Sequence, residues 1–315
     1  MYQIFDQVLV LVNVEANQGK AEKKWNLICN QVLATLPEYT QIKTFRPGFD
    51  LATFLSQWLA RESKSLIISA GGDGTANHLI NYLIRNEKEN LDRITLGFIG
   101  LGSSNDILKP FQEFINDVPV ALRLDKIISV DVGTVMFQNI SGKTIKKYFL
   151  ANASLGVIAE GNHLFNHPDS ILKFVQKNLP RVAIPYASIM AILKTKNQTL
   201  DLEFNNSRLQ YLIGFISVLK IPHISGNLKI DQEIKRDDGL LGLNYCQKMN
   251  KVDLLRLLID LSWGKFQNRS NRYSYFIDYL KVFSEKHIPL EMDGEVTMAK
   301  DIGFGVLPKV LRLLT

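Results

Sequence analysis

The stretch that most limits how this chain can fold is Ser69-Ala70-Gly71-Gly72-Asp73-Gly74-Thr75-Ala76-Asn77. The apolar run Leu66-Ile67-Ile68 leads into it, and the amphipathic stretch His78-Leu79-Ile80-Asn81-Tyr82-Leu83-Ile84 leads out. That order reads as strand, glycine turn, helix. Backbone N–H groups in such a turn face an anion, and the helix N-terminus adds partial positive charge. Gly71 and Gly72 let a phosphate approach with no Cβ in the way. A nucleotide phosphate is the expected guest. The plainer alternative is a tight turn whose glycines only supply positive φ.

The flanking sequence repeats the alternation. Residues 7–14 form a continuous apolar run, as in a strand buried on both faces. A polar loop follows from Asn13 to Lys20, then helical spacing through Trp25, Ile28, Val32 and Leu36. An extended stretch at 42–44, a helix from Leu51 to Arg61, a helix over 77–85 and a strand over 95–99 complete the set. Gly100-Leu101-Gly102-Ser103-Ser104-Asn105-Asp106 makes a second polar turn after a strand. This predicts an α/β N-terminal domain with a doubly wound, mostly parallel sheet over residues 1–127. In such a sheet the loops 13–20, 69–77 and 100–106 converge beyond the carboxyl ends of the strands.

After residue 127 the texture changes. Short alternating runs appear at 129–135, 146–153, 199–204, 211–219, 228–230, 240–246 and 279–284, separated by turn signals such as Asp238-Gly239. They predict a β-rich, antiparallel, sandwich-like domain over 128–299, with helical inserts near 170–196 and 251–263. The apolar segment 300–315 is expected to pack back on the first domain.

Charge follows the same division. Residues 1–127 hold 13 Lys/Arg against 14 Asp/Glu, and residues 128–315 hold 24 against 17. A positive face suits nucleic acid, anionic lipid or a phosphorylated substrate, or is simply a solvated surface. Basic residues are dispersed and no nucleic-acid module is recognisable, so nucleic-acid binding is not expected. No apolar run approaches the roughly 20 residues of a membrane-spanning helix. The start Met1-Tyr2-Gln3-Ile4-Phe5-Asp6 lacks a basic n-region, and the only cysteines, Cys29 and Cys246, make no CxxC. The expected compartment is the cytoplasm. His163 and His167 are four apart but have no third ligand nearby, so zinc is not expected.

The chain contains no GxxxxGK[ST], and no GxGxxG after the first strand. Phosphate must be held in another way. Gly71-Gly72-Asp73-Gly74-Thr75, Gly102-Ser103-Ser104-Asn105-Asp106, Asp131-Val132-Gly133, Asp237-Asp238-Gly239 and Asp293-Gly294-Glu295 occur in this order. In that order the chain resembles the diacylglycerol kinase catalytic family, in its soluble bacterial lipid-kinase branch, related to sphingosine kinases. The resemblance covers nearly the whole chain. It implies a two-domain lipid kinase whose first domain binds ATP and whose second supplies acceptor binding and essential carboxylates.

By that resemblance Asn13, Gly19, Lys20, Thr44, Gly71, Gly72, Asp73, Gly74, Thr75, Asn77, Gly102, Ser103, Ser104, Asn105 and Asp106 would meet the nucleotide. Val14 stands where the family has proline, and Ser103 keeps the hydroxyl of a common threonine. The resemblance gives the base role to the Asp293-Gly294-Glu295 motif, with Glu295 the first choice and Asp293 the second; Asp73 is a further catalytic candidate, able to orient a metal-bound water or to hold its loop by bonding its own backbone. An ordinary acidic turn is the competing reading of that hairpin. The resemblance also implies a structural Mg²⁺ beside Asp238, with backbone carbonyls from Lys235 and Leu240; oxygen ligands suit this hard ion. Catalytic Mg²⁺ would arrive with ATP. A plain hairpin turn is the alternative at Asp238-Gly239.

Residues 171–196 interleave Ile171, Phe174, Leu179, Ile184 and Ile189 with Lys173, Lys177, Arg181, Lys194 and Lys196. An apolar face ringed by cations suits an anionic membrane, and helices packing on their own sheet would read the same way. The implied partners are a lipid substrate and the inner face of the membrane, met peripherally; a homodimer stays open. Two other functions compete. A kinase of a soluble acceptor such as NAD would also use a Gly-Gly-Asp-Gly turn, and a non-catalytic lipid-binding relative would keep the fold.

Overall fold

The computed structural model describes residues 4–60, 63–267 and 269–315, with the side chains of residues 180 and 181 outside the description. The helix end expected at Arg61, the Arg181 side chain and the opening Met1-Tyr2-Gln3 therefore lie outside the described residues. The chain divides into two compact units, Met1–Val132 with Pro308–Thr315, and Gly133–Leu307.

The first unit begins β1 (Gln7–Asn13), α1 (Lys20–Ala34), β2 (Gln41–Phe45), α2 (Leu51–Trp58), β3 (Ser65–Gly71), α3 (Asp73–Asn86) and β4 (Ile94–Gly100). β5 (Glu113–Ile115), β6 (Val118–Ala121) and the start of β7 (Ile127–Gln138) follow. β1 pairs in parallel with β2 and β3, and β3 with β4. β6 runs antiparallel to β4 and to β5. Val8, Val10 and Val12 of β1 pack with Ile28 and Val32 of α1 and Leu66 and Ile68 of β3. Side chains of that size each contribute about 1.5–3 kcal/mol when buried. This core holds the carboxyl ends of β1, β3 and β4, where the polar loops start.

The second unit continues with the remainder of β7, β8 (Thr144–Phe149), β9 (Asn152–Gly156), α4 (Val157–Asn166), α5 (Ser170–Asn178) and α6 (Pro180–Lys194). Then come β10 (Gln198–Phe204), β11 (Ser207–Leu219), β12 (His223–Ile224), β13 (Leu228–Lys229), β14 (Leu241–Gln247) and α7 (Lys251–Ser262). β15 (Arg272–Ile277), β16 (Leu280–Phe283), β17 (Ile288–Met292) and β18 (Glu295–Leu314) end the chain. From Pro308 onward β18 belongs to the first unit, where Arg312 and Leu313 pair in parallel with Thr95 and Leu96 of β4.

The expected fold class is corrected by these pairings. β11, β9, β17, β18, β16 and β10 pair in that order, every step antiparallel, and β10 returns to β11. The result is a closed six-stranded antiparallel barrel, with β14, β15 and the β7–β8 pair as further antiparallel strands. The chain is therefore not a doubly wound sheet carrying an open sandwich. Even in the first unit β4 is flanked by β18, which arrives with no crossover helix, and by antiparallel β6. Alternation of apolar residues reports one buried face and is blind to closure. Closure depends on β9 and β10 sharing one edge of β11, a tertiary matter.

Smaller differences have local causes. The run 146–153 is two strands, because the Asp293 carboxylate accepts the N–H groups of Leu150, Ala151 and Asn152 that would otherwise continue a ladder. The insert 170–196 is two helices, broken at Leu179 with Pro180 opening the second. Residues 228–229 belong to a separate two-stranded ribbon with β12. α3 starts at Asp73, not at Asn77, so Asp73, Gly74 and Thr75 form its first turn.

Candidate functional site

The two glycine turns of the first unit touch. Gly72 caps α3, and its carbonyl accepts the N–H of Thr75 at 3.0 Å and of Ala76 at 3.2 Å. The Gly71 carbonyl accepts the N–H of Leu101 at 2.9 Å and of Gly102 at 3.2 Å, tying the second turn to the first. No side chain would fit between them. A Cβ on Gly102 would stand 2.6 Å from the Gly72 Cα, and one on Gly71 would stand 2.6 Å from the Thr75 hydroxyl. Asn105 holds the second turn in the left-handed region, φ 51°. Its Oδ1 accepts the Gly102 N–H at 3.0 Å and its Nδ2 donates to the Gly100 carbonyl at 3.2 Å. Asp73 Oδ1 accepts the Ile107 N–H at 3.1 Å, a third tie between the turns. A pocket opens here, lined by Gly71, Gly72, Asp73, Gly100 and Asn105 among others.

The first loop joins the same place. Asn13 Nδ2 donates to the Thr75 hydroxyl at 2.9 Å, and Asn13 Oδ1 accepts the Glu15 N–H. Gly19, at φ 80°, caps α1, and Lys20 is its exposed first residue. Val14 is buried beside Val12 and Trp25, and its N–H donates to the Phe45 carbonyl, a bond that proline could not make. Thr44 of β2 pairs with Val12 of β1 and is exposed. Ser103 is exposed, Ser104 half-buried, and Gly74 half-exposed.

Two expected contact residues are committed elsewhere. Asn77 lies on the buried face of α3, where its Oδ1 accepts from Asn81. Asp106 makes a buried ion pair with Lys109 at 2.7 Å. Sequence reasoning missed Lys24, whose ammonium donates to the Gly102 carbonyl at 3.2 Å. Burial, and then the neighbouring charge of Lys20, lower its pKa from the ordinary lysine value. The readable signal was its spacing, four residues after Lys20 on one helix face.

In the second unit Asp293 and Gly294 form the two-residue turn between β17 and β18, with φ of 45° and 90°. Such left-handed turns favour Asp-Gly. Asp293 is 2% exposed. Its Oδ1 accepts the N–H of Ala151 at 2.9 Å and of Asn152 at 3.1 Å, and its Oδ2 that of Leu150 at 2.9 Å. The carboxylate thus pins the β8–β9 turn. Two residues on, the Glu295 side chain is 46% exposed and paired with Lys147 at 3.4 Å. The structure therefore separates these two carboxylates by environment. A third went unforeseen: Glu291 is fully buried, accepts the Ser154 hydroxyl, and accepts the Gly294 N–H at 2.7 Å. Nothing in its sequence surroundings marks it out.

At the expected cation position, Lys235 is exposed in the loop before the turn, with Asp238 and Leu240 beyond it. The ammonium of Lys220 sits between the last two, 3.2 Å from Asp238 Oδ1 and 2.7 Å from the Leu240 carbonyl. Among the described residues no cluster of three or more His, Cys, Asp or Glu could hold a metal.

The helices α5 and α6 bury Leu172, Ala183 and Ala187 but leave Ile171, Phe174, Leu179, Val182, Ile184, Ile189 and Leu193 exposed. Among the described residues no helix is long and apolar enough to cross a membrane. α7 carries a second outward stripe, Val252, Leu255, Ile259 and Trp263, the last 75% exposed. That stripe was legible as helical spacing. Lys251 ties the start of α7 to the end of α6 by donating to the carbonyls of Ile192 and Leu193.

The first unit thus brings two glycine turns together at the N-terminus of α3, and the second buries two of its hairpin carboxylates, Glu291 and Asp293. Residues 7–135 match the model of the diacylglycerol kinase catalytic domain. A diacylglycerol kinase of Bacillus subtilis is 25% identical over 78% of this chain and 75% of its own. A YegS-like relative from Chromohalobacter salexigens is 27% identical over 91% of each chain. The structure of a diacylglycerol kinase from Bacillus anthracis aligns over 98% of this chain and 97% of its own, with TM-score 0.68 and 17% identity, a likeness of fold. Residues 7–135 thus carry the diacylglycerol kinase catalytic domain, and the chain as a whole is similar to bacterial lipid kinases.

Proposed function

We propose that this protein is an ATP-dependent kinase that transfers the γ-phosphoryl group to a lipid hydroxyl, that of diacylglycerol or a similar neutral lipid. The observation that carries the reading is the contact between Gly72 and Gly102, which keeps side chains out of the meeting point of the two turns beside the pocket at the N-terminus of α3. Phosphoryl transfer needs positioning and charge neutralisation more than covalent chemistry. The N–H groups of the two turns and the Lys20 and Lys24 ammoniums supply this for the phosphates. Mg²⁺ accompanying the nucleotide would neutralise further charge, with Asp73 the carboxylate at the pocket. Glu295, solvated and held by Lys147, takes the proton of the acceptor hydroxyl. Asp293, with both oxygens bound to backbone N–H groups, positions the hairpin and is not the base.

The apolar faces of α5, α6 and α7, with Lys173, Lys177 and Lys194 among them, dock on the anionic cytoplasmic leaflet. The protein works there peripherally, from the cytoplasm.

Transfer from labelled ATP to a panel of lipids and soluble alcohols tests the reading. Labelled lipid with the native chain and none with Asp73→Ala or Glu295→Ala is the expected result. Labelled NADP would replace it with a soluble-acceptor kinase. Lipid binding with no transfer to any acceptor would leave a non-catalytic relative.

A further inference from the structure

Lys220 follows the end of β11 and is 1% exposed, an unusual place for an ammonium. Its backbone is fixed, since its N–H and that of Ile221 donate to the Ala151 carbonyl at 2.9 and 3.2 Å. The side chain runs to the Asp238-Gly239 turn. There Nζ donates to the Leu240 carbonyl at 2.7 Å and to Asp238 Oδ1 at 3.2 Å. The same Oδ1 also accepts the Leu240 N–H at 3.0 Å.

These are two of the three oxygen donors that the family resemblance offers to a structural Mg²⁺. The ion and the ammonium compete for them. Mg²⁺ demands oxygens at about 2.0–2.1 Å in near-octahedral geometry. An ion at that distance from Asp238 Oδ1 and the Leu240 carbonyl would stand against Nζ, cation on cation. The expected donor set therefore does not fit a divalent ion in this chain. An ammonium has three donors and needs acceptors only, and Asp238 and Leu240 provide them.

We infer that the Lys220 ammonium is a built-in replacement for the structural cation, so the second unit folds without a divalent ion at Asp238. It stiffens the turn as the ion would, by drawing a carboxylate and a carbonyl onto one positive centre. The inference is independent of the kinase reading, because its test contains no nucleotide or acceptor.

The native chain is melted without nucleotide, in excess EDTA and in millimolar Mg²⁺. The two melting temperatures are expected to agree within about 1 °C, since an ion that does not bind the native state cannot stabilise it. Nucleotide-free crystals soaked in Mn²⁺ are expected to show no anomalous peak between Asp238 and Leu240. A Mg²⁺-dependent rise in the native melting temperature that persists in Asp73→Ala and Glu295→Ala but is lost in Asp238→Ala, or a Mn²⁺ peak at that turn, overturns the inference. Lys220→Asn removes the ammonium and leaves the oxygens. It is expected to melt several degrees lower in EDTA and to regain part of the loss in Mg²⁺. A Lys220→Asn protein as stable as the native chain in EDTA also overturns it. If this variant does not fold in either buffer, the two native-chain measurements decide.

Discussion

In the first unit the groups that would meet phosphate are mostly backbone amides, joined by the Lys20 and Lys24 ammoniums, and at the turns the sequence contributes by withholding side chains. In the second unit the groups that the proposed reading puts to work are side chains, and the backbone serves to hold them. At Gly71 and Gly102 even a methyl group is too much, and at Gly72 it would press on the Gly102 Cα at 3.3 Å. At the β17–β18 hairpin three carboxylates within five residues receive three environments: Glu291 buried against a hydroxyl, Asp293 buried against amides, Glu295 solvated. A polyphosphate is recognised by many weak, fixed dipoles, which need close approach. A proton is moved by one group whose acceptor oxygens are not already taken. The contrast makes distinct demands on mutation.

The largest expected effect is at Glu295. Glu295→Ala should lower kcat by about 10²- to 10⁴-fold, the usual share of a general base, while ATP affinity by calorimetry stays as in the native chain. A matching loss of affinity would break the division between the units. Next is Gly102→Ala, whose Cβ meets the Gly72 backbone at 2.6 Å. Overpacking of this kind costs about 1–3 kcal/mol, so nucleotide binding should weaken by roughly 10- to 100-fold. Gly142→Ala is the control: nothing lies within 4 Å of its Cβ, and only its positive φ objects.

Asp293→Ala should act on stability before rate. Three backbone N–H groups lose a charged acceptor, at about 3 kcal/mol in total if each costs the usual ~1 kcal/mol. Thermal unfolding reads this directly. If Asp293→Asn melts like the native chain and yet loses transfer, Asp293 and Glu295 have exchanged roles.

Lys24→Met should weaken ATP binding by about tenfold, the loss of one charge-assisted phosphate contact. Its pH signature has a definite sign. Lys24 has a lowered pKa in the folded chain, so the unfolded chain holds that proton more tightly. The resulting penalty is full below the folded pKa and is relieved as pH rises through it toward the ordinary lysine value. The native chain should therefore gain stability relative to Lys24→Met across that alkaline window, and a pH-independent difference would discard Lys24 as the cause. The smallest effect belongs to Trp263→Ser, which should reduce pelleting with anionic vesicles a few-fold, by removing one exposed anchor. Unchanged pelleting would confine the membrane face to α5 and α6.

Much of the candidate cradle was legible without coordinates. Gly71–Thr75 and Gly102–Asp106 were readable because a glycine turn between a strand and a helix depends on residues adjacent in sequence, and Asn13 could be named because its loop also follows a strand. Lys24 could have been found from its spacing to Lys20. What pointed beyond local pattern was not legible. Asn77 and Asp106 look like ligands in sequence, but α3 and the Asp106–Lys109 pair turn them inward. The barrel was misread because alternation records which face is buried, never which strand closes on which. Glu291 and Lys220 are charged residues in apolar runs, and the distant partners that help make their burial tolerable, Ser154 in one case and Asp238 and Leu240 in the other, leave no local pattern. The sequence alone determined the strand-turn-helix units and their glycines, since backbone geometry there is decided within a few residues. Tertiary structure alone decided the ring of six strands, the separation of Asp293 from Glu295, and the ammonium at Asp238. Each of those rests on a contact between segments far apart in the chain, where burial and charge are settled by the partner.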